Sequence, residues 1–258
     1  MIVLEDPPGF VVRTELQKAA FENGFRLERG HRSGWLRFGS TTAHGDIWIA
    51  GASMSGPWLL SVEHPEMGAE MGLSSSLEVV GPGASTFVFN NLHDFYTGLD
   101  RSYRLGVSLP DAPLQRFRAR VEGISTATEA ERLIVQRIGQ GIFREALLKY
   151  WNGCCRLTGI ADVALLRASH IVPWAECETD SLRLDVHNGL LLSALWDAAF
   201  DSGMISFANN GEVLVSQTLS PNAVAALGLP TVKPLTGLTD AHCANLARHR
   251  AKYGYSTR

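Results

Sequence analysis

Residues 168–174, ASHIVPW, begin the most informative segment in the second half of this chain. Residues 185–193, DVHNGLLLS, and residues 196–203, WDAAFDSG, follow at short intervals. Each segment contains, among mostly apolar residues, a polar residue that is suited to catalysis or metal binding. These are a histidine, then an asparagine, then an aspartate.

The local pattern predicts a strand, a turn and a helix, in that order. The apolar run 165–172 has the length of a strand and ends at a proline, and Asn188 precedes a glycine, which is typical of a turn. Residues 190–200 then extend over the length of a helix. We expect His170 late in the strand, Asn188 at the turn and Asp197 on the helix.

These residue types suit phosphodiester hydrolysis. A base must take a proton from water, and a hard divalent cation must offset negative charge on the phosphorus centre and the leaving oxygen. A neutral histidine suits the base, and carboxylate oxygens suit Mg²⁺ or Mn²⁺. A histidine, an asparagine and an aspartate are not specific by themselves, so the order of the whole string carries the interpretation.

Four separated motifs occur in this sequence in the same order as in the HNH endonuclease family, which this part of the chain resembles. They are 155–159 (CRLTG), 168–174 (ASHIVPW), 188–192 (NGLLL) and 200–203 (FDSG). The resemblance covers about residues 130–217 and is to the C-terminal HNH domain of modification-dependent restriction endonucleases. It implies a ββα-metal finger, a divalent metal ion (Mg²⁺ or Mn²⁺) and cleavage of nucleic acid, usually DNA.

The resemblance also implies roles for individual residues. His170 corresponds to the general base, and Asn188 corresponds to the asparagine that fixes the loop and orients that base. Asp197 stands where the family has its last metal ligand, which is commonly histidine. Ser169 replaces an aspartate or histidine that ligates metal in many HNH enzymes, and it is a weak ligand. Asp201, four residues after Asp197, is either a further ligand or a structural carboxylate.

Charge is distributed unevenly along the chain, whose net charge is −3. Residues 1–100 and 159–217 each carry −6, whereas 101–158 carry +5 and 218–258 carry +4. An acidic site flanked by basic segments suits a metal centre whose phosphate contacts come from its neighbours. The candidate DNA contacts are Arg156, Arg167, Arg183, Arg248 and Arg250.

The predicted fold class is α+β, with two domains. Residues 1–124 form a mixed α/β domain with strands at 34–39, 46–50, 58–62, 79–80 and 86–89, and 125–258 form the ββα-metal (HNH) nuclease domain. Thr128 and Glu131 have capping-box spacing, which predicts a helix to Tyr150. Thr239 or Asp240 begins a basic C-terminal helix.

The first domain matches no motif. By the resemblance alone it is the DNA target-recognition domain, with an aromatic pocket for a modified, flipped base as one form of that role. Its large aromatic residues are interpreted as core rather than as a base-binding pocket. They are Trp35, Phe38, Trp48, Trp58, Phe87 and Phe89.

Composition limits the remaining classes. No run has the roughly 18 apolar residues of a membrane span, and no signal peptide is recognisable, so a cytoplasmic location is expected. The four cysteines (Cys154, Cys155, Cys177 and Cys243) contain no C-x-x-C pair. They predict free thiols and no structural zinc, which leaves the 128–150 helix to hold the finger.

The sequence therefore predicts a metal-dependent DNA endonuclease of restriction or defence, with modified DNA as a candidate substrate. Two alternatives remain open: a degenerate HNH finger that binds DNA without cutting it, and the toxin of an immunity-paired system. A homodimer is one route to double-strand cleavage.

Overall fold

The computed structural model describes residues 2–72, 79–109 and 111–255. The chain divides into two compact units, Met1–Ala112 and Pro113–Arg258. The sequence predicted the boundary between 124 and 125. The structure divides the chain earlier because Phe117, on the helix Asp111–Val121, is only 3% exposed within the hydrophobic core of the second unit.

The first unit is built on a five-stranded antiparallel sheet whose strands follow sequence order. Its elements are α1 (Phe10–Glu22), β1 (Leu27–Arg32), β2 (Trp35–Gly39), β3 (Ile47–Gly51), β4 (Trp58–Val62), α2 (Pro65–Glu70), β5 (Ser85–Phe89) and α3 (Leu92–Ser108). The predictions for β2 to β5 are confirmed, whereas the strand predicted at 79–80 is absent from these described residues. Strand β1 was not predicted because all six of its residues are exposed and do not alternate in polarity.

The two faces of this sheet differ in character. Leu36, Ile49, Leu60 and Phe87 form one cross-strand row, and all four are buried. On the same face Trp58 stacks on Phe95 of α3, with ring centroids 5.6 Å apart. Alternation sends the neighbouring row to the opposite face. That row consists of Arg37, Trp48, Ser61 and Thr86.

The second unit is mainly helical with two short hairpins. Its elements are α4 (Asp111–Val121), α5 (Glu129–Tyr150), β6 (Leu166–His170), α6 (Asp180–Leu184), β7 (Gly189–Ser193), α7 (Ala194–Asp201), β8 (Ile205–Phe207), β9 (Val213–Val215), α8 (Pro221–Ala226) and α9 (Asp240–Lys252). Strand β6 pairs with β7, and β8 pairs with β9. The α+β class is therefore confirmed for the chain.

Side-chain caps begin the two helices that were predicted from their first residues. The Thr128 hydroxyl accepts from the backbone N–H of Glu131, and the Glu131 carboxylate accepts from the N–H of Thr128. Thr239 caps α9 in the same way, with His242 at the third helical position. The predicted starts of both helices are therefore confirmed. Each cap satisfies backbone N–H donors that the first helical turn leaves unpaired.

The helix predicted over 190–200 begins later than expected. Residues Gly189–Ser193 are all buried and form β7, and α7 starts at Ala194. A continuous apolar run is compatible with a buried strand as well as with a helix, so pairing with β6 decides the outcome. Asp197 remains on the helix.

Helix α5 supplies one side of the core of the second unit. Ile142, Phe143 and Leu147 are at most 1% exposed and cluster with Leu190 and Leu192 of β7. This confirms that hydrophobic packing against α5 supports the hairpin. The four cysteines are free thiols, with Cys155 and Cys177 buried. Among the described residues, no helix combines the length and hydropathy required to cross a membrane.

Candidate active site

The hairpin of β6 and β7 runs directly into α7 and separates two polar positions. Ser169 pairs with Leu190, and His170 pairs with Gly189. Successive side chains of a strand point to opposite faces. Ser169 accordingly contacts α7 through Asp201, whereas His170 contacts α5.

His170 is oriented by a backbone carbonyl and two rings. Its Nε2 lies 2.9 Å from the carbonyl oxygen of Arg183. Its ring stacks on Phe143, with centroids 3.8 Å apart and planes 18° apart, and meets the Trp174 ring edge-on at 5.6 Å. Burial lowers the pKa of His170 from 6.5 to about 4, against the opposing effect of the Arg183 carbonyl.

The hydrogen bond determines which ring nitrogen carries the proton. A carbonyl oxygen only accepts, so Nε2 of neutral His170 is the donor and Nδ1 holds the lone pair. Within the described part of the chain Nδ1 has no hydrogen-bond partner, and it is not among the enclosed unpartnered atoms. A nitrogen with a lone pair and no partner among the described residues is therefore available.

The Asn188 side chain is fully buried and ties together the loop that follows His170. Its Oδ1 accepts from the Val172 N–H at 2.8 Å. Its Nδ2 donates to the carbonyls of Val172 (3.2 Å) and Leu182 (3.1 Å) and contacts Cys177 Sγ at 3.4 Å. An asparagine suits this position because it offers donors and an acceptor on one planar group.

Gly189 is required by close packing rather than by its backbone conformation. A Cβ at this position would lie 2.5 Å from Phe143 and 2.8 Å from Leu147, both on α5. The missing side chain therefore lets the hairpin approach the helix that carries the ring beneath His170. This explains the Asn-Gly pair physically.

Ser169, Asp197 and Asp201 form a small cluster of oxygen atoms. The buried Ser169 hydroxyl donates to Asp201 Oδ1 at 3.3 Å. Burial raises the pKa of the Asp197 carboxyl, while Ser169 and the Arg167 charge lower it. Burial also raises the pKa of Asp201, and the nearby Asp197 charge raises it further. The structure thus brings Asp201 to the same place as Asp197.

The residues of this cluster fit a hard divalent cation. Asp197 and Asp201 are four residues apart on α7, and they face the same strand position. Two partly buried carboxylates repel each other unless a cation or a proton offsets their charge. All the available donors are oxygens, which Mg²⁺ and Mn²⁺ prefer.

The candidate DNA-contacting arginines divide into exposed and internal side chains. Arg156, Arg167 and Arg248 are exposed. Arg250 is only 4% exposed and donates to Phe207 O (2.7 Å) and Asn209 Oδ1 (2.9 Å), so its side chain is not at the surface expected of a phosphate contact. Arg250 is internal because it lies on the side of α9 that packs against β8.

Arg183 is also engaged within the protein. It donates to the carbonyls of Trp174 and Cys177 and pairs with Asp180. Its guanidinium lies 5.8 Å from the Trp174 ring centroid. These contacts fix the backbone whose carbonyl orients His170, a role that the sequence did not indicate.

The CRLTG segment is a turn that precedes the hairpin. Cys155 is buried, its carbonyl accepts from the Gly159 N–H, and its own N–H donates to Ile160 O. Gly159 has φ +74°, which favours glycine. The motif is therefore explained by chain geometry.

The model of the HNH endonuclease family matches residues 155–208. The match contains β6, β7, α7 and β8. It confirms the family resemblance of the four motifs and identifies an HNH endonuclease domain within the second unit. No curated protein matches the chain.

Proposed function

We propose that this protein is a metal-dependent endonuclease that hydrolyses DNA phosphodiester bonds. The observation that carries the proposal is the orientation of His170, whose Nε2 is occupied by the Arg183 carbonyl while Nδ1 is available. The family match over 155–208 supports it independently.

In this mechanism His170 is the general base. Its lowered pKa keeps the imidazole neutral at physiological pH, so Nδ1 accepts a proton from the attacking water. The Nε2 hydrogen bond to Arg183 then stabilises the imidazolium, which donates at both nitrogens. Asn188 acts as a positioning residue, because its bonds to Val172 and Leu182 fix the chain on either side of the base.

Asp197 and Asp201 are the residues that would hold a divalent cation, with Ser169 as an additional weak oxygen donor. Such a cation supplies positive charge to the phosphoryl and leaving oxygens during hydrolysis. Ser169 also restrains the Asp201 carboxylate by donating to it at 3.3 Å. Cleavage assays with each metal decide between Mg²⁺ and Mn²⁺.

DNA binding is assigned to exposed basic side chains of the second unit. Arg167 lies on β6 and its charge acts on Asp197, so it is adjacent to the proposed metal ligands. Arg156 and Arg248 are further exposed candidates, each worth a modest, salt-dependent part of the affinity.

We infer the biological role from the family resemblance. We assign the enzyme to restriction or defence, with the first unit recognising the target, which includes modified DNA. A homodimer would place two nuclease domains on the two strands. These assignments rest on analogy.

A plasmid-cleavage assay tests the proposed activity. Purified full-length protein is incubated with plasmid DNA in Mg²⁺, Mn²⁺ or EDTA, beside His170→Ala and the exposed-histidine control His93→Ala. Matched unmodified, methylated, hydroxymethylated and phosphorothioated DNA serve as substrates. We expect metal-dependent cleavage by the wild type and His93→Ala, and loss of cleavage with retained DNA binding in His170→Ala.

The same assay separates the alternative function. DNA binding without cleavage of any substrate in either metal would favour a degenerate HNH finger. Undiminished cleavage by His170→Ala would contradict the assigned base.

A further inference from the structure

A cavity of about 650 Å³ lies on the face of the first unit's sheet that α1 and α3 do not cover. Its floor includes the cross-strand pair Arg37 and Trp48. The β1–β2 hairpin forms one wall, and residues 80–82 form another. The volume is within the range of about 300–1,000 Å³ that small-molecule sites occupy.

Defined backbone geometry builds both walls. Ser33 and Gly34 link β1 to β2 with φ 52° and 79°, the positive values of a tight two-residue hairpin. On the other side, the N–H of Gly81 donates to Thr86 Oγ1 at 2.9 Å, and the N–H of Gly83 donates to Ser61 Oγ at 2.8 Å. Side-chain hydroxyls of the sheet therefore hold the second wall.

Positive charge is concentrated at this cavity within an acidic part of the chain. Residues 1–100 contain 6 basic and 12 acidic side chains. Three of the six basic residues line the cavity: Arg29, Arg32 and Arg37. Asp46, only 5% exposed, lies 2.6 Å from Arg37 Nε and 3.5 Å from Arg29 Nη1. One carboxylate thus orients two guanidinium groups, and the local charge stays positive.

Donors remain available for an anion. Across the described residues, Arg32 has no hydrogen-bond or ion-pair partner. Arg37 is paired with Asp46 through Nε, and no hydrogen bond engages its terminal nitrogens. His31, also on the lining, is paired with Asp6 at 3.5 Å. Guanidinium groups bind phosphate with directed, charge-assisted hydrogen bonds.

The cavity also offers an aromatic surface. Trp48 was interpreted as core, but it is only partly buried and lines the cavity, whereas Phe38, Trp58 and Phe87 are buried as expected. The Arg37 guanidinium lies 5.3 Å from the Trp48 ring centroid. Together these two groups present an aromatic ring and a planar cation, both of which stack on nucleobases.

We propose that this cavity binds a nucleotide, with the base against Trp48 and Arg37 and the phosphate at Arg29 and Arg32. The inference goes beyond nuclease activity, because every residue that carries it lies in the first unit. The nucleotide has two possible sources: a free mononucleotide, or an unpaired nucleotide within a DNA strand.

Isothermal titration of the full-length protein tests the proposal. All proteins carry His170→Ala and all buffers contain EDTA, so that DNA is not cleaved. The probes are the four deoxynucleoside 5′-monophosphates, the matched nucleosides, inorganic phosphate, a short single-stranded oligonucleotide and its duplex. We expect a nucleotide or an unpaired strand to bind more tightly than the nucleoside or phosphate alone.

Arg32→Ala and Trp48→Leu should each weaken that binding about ten-fold or more, through a lost charged hydrogen bond and lost stacking. Arg26→Ala is the matched control, because Arg26 is an exposed arginine of the same unit that does not line the cavity. Arg32 has no partner to lose, so its variant remains informative if Trp48→Leu is unstable. Circular dichroism and thermal melting verify folding.

The outcomes are distinct. Binding of mononucleotides that depends on Arg32 and Trp48 assigns a free nucleotide. Binding of the oligonucleotide without the mononucleotides assigns a nucleotide within a strand if Arg32→Ala and Trp48→Leu weaken it. Oligonucleotide binding that neither variant weakens belongs to the second unit and overturns the proposal. The proposal is overturned if no probe binds, if phosphate binds as tightly as nucleotide, or if Arg26→Ala weakens binding as much as Arg32→Ala. Because every protein carries His170→Ala and the buffers contain EDTA, these titrations do not measure cleavage. Loss of mononucleotide binding therefore leaves the proposed cleavage untouched, and the reverse also holds.

Discussion

The Nε2 atom of His170 lies 2.9 Å from the carbonyl oxygen of Arg183 and donates its proton to it. This single contact assigns the tautomer of a neutral imidazole, because the carbonyl has no proton to give. The stack on Phe143 holds the ring plane at the same time. The basic Nδ1 is therefore fixed in direction before any substrate binds.

The tautomer is directly observable. We expect His170 at pH 7 to be neutral, with the proton on Nε2 and a pyridine-type Nδ1, since burial lowers its pKa to about 4. Long-range proton–nitrogen NMR correlation spectra distinguish the two nitrogens, and His170→Gln assigns the signal. A proton on Nδ1, or a doubly protonated ring at pH 7, would refute the assignment.

Removing the proposed base should have a catalytic cost of a typical size. Loss of a positioned general base reduces the rate about 10²- to 10⁴-fold. We expect a decrease of that size in the cleavage rate of His170→Ala, with unchanged affinity for DNA in the presence of metal. His93→Ala, altered at an exposed site, should cleave at the wild-type rate.

A third prediction concerns Asp197 and Asp201. Their proximity raises the pKa of Asp201 beyond the effect of burial, so a bound cation relieves repulsion in the folded state. Saturating Mn²⁺ at about 100 times its dissociation constant should stabilise the wild type by roughly 2.7 kcal/mol. The increase in Tm should be much smaller in Asp197→Asn and Asp201→Asn.

Asp162→Asn is a suitable control for the metal experiment, because Asp162 is an exposed carboxylate of the same unit. Its Tm should respond to Mn²⁺ like that of the wild type. An equal response of all four proteins would show that the cation binds elsewhere. Asp197→Asn should also lower the pKa of Asp201, since the repelling charge is gone.

A fourth prediction follows from the buried Asn188 amide. Asn188→Ala leaves the Val172 N–H and the Leu182 carbonyl without their partner. Each buried unsatisfied group costs about 1–3 kcal/mol, so the free energy of unfolding should fall by at least about 2 kcal/mol. Urea denaturation measures the loss. Asn222→Ala, at an exposed position of α8, should change the free energy of unfolding by less than about 0.5 kcal/mol.

The sequence best predicted the features that interactions between neighbouring residues determine. Thr128 and Glu131 satisfy each other's backbone groups within one helical turn, so their spacing alone fixed the start of α5. Asn188-Gly189 was predicted as a turn, whereas Asn188 ends a short 3₁₀ helix and Gly189 begins β7. The ordered motifs also predicted the HNH domain, because a short hairpin and helix leave little freedom in spacing.

Sequence failed where tertiary contacts decide. Residues 190–193 read as helix, but pairing with β6 makes them a strand. Arg250 read as a surface cation, whereas the carbonyl of Phe207 holds it inside. The Arg183 carbonyl has no side-chain signature at all. This carbonyl lies beside His170 because the chain between β6 and β7 brings the backbone of α6 next to the end of β6.

The last prediction concerns acid stability and His249. Burial lowers the pKa of His249 to about 4, with nearby cationic charge lowering it further against the Phe200 carbonyl, while the unfolded value is about 6.5. Between these values the unfolded state binds more protons, so the free energy of unfolding falls as pH decreases from about 6.5 to about 4. Each such histidine contributes a slope of at most about 1.4 kcal/mol per pH unit. His249→Gln should remove one contribution, and the exposed His93→Gln should remove none. Equal slopes for all three proteins in urea denaturation would contradict the burial of a neutral His249.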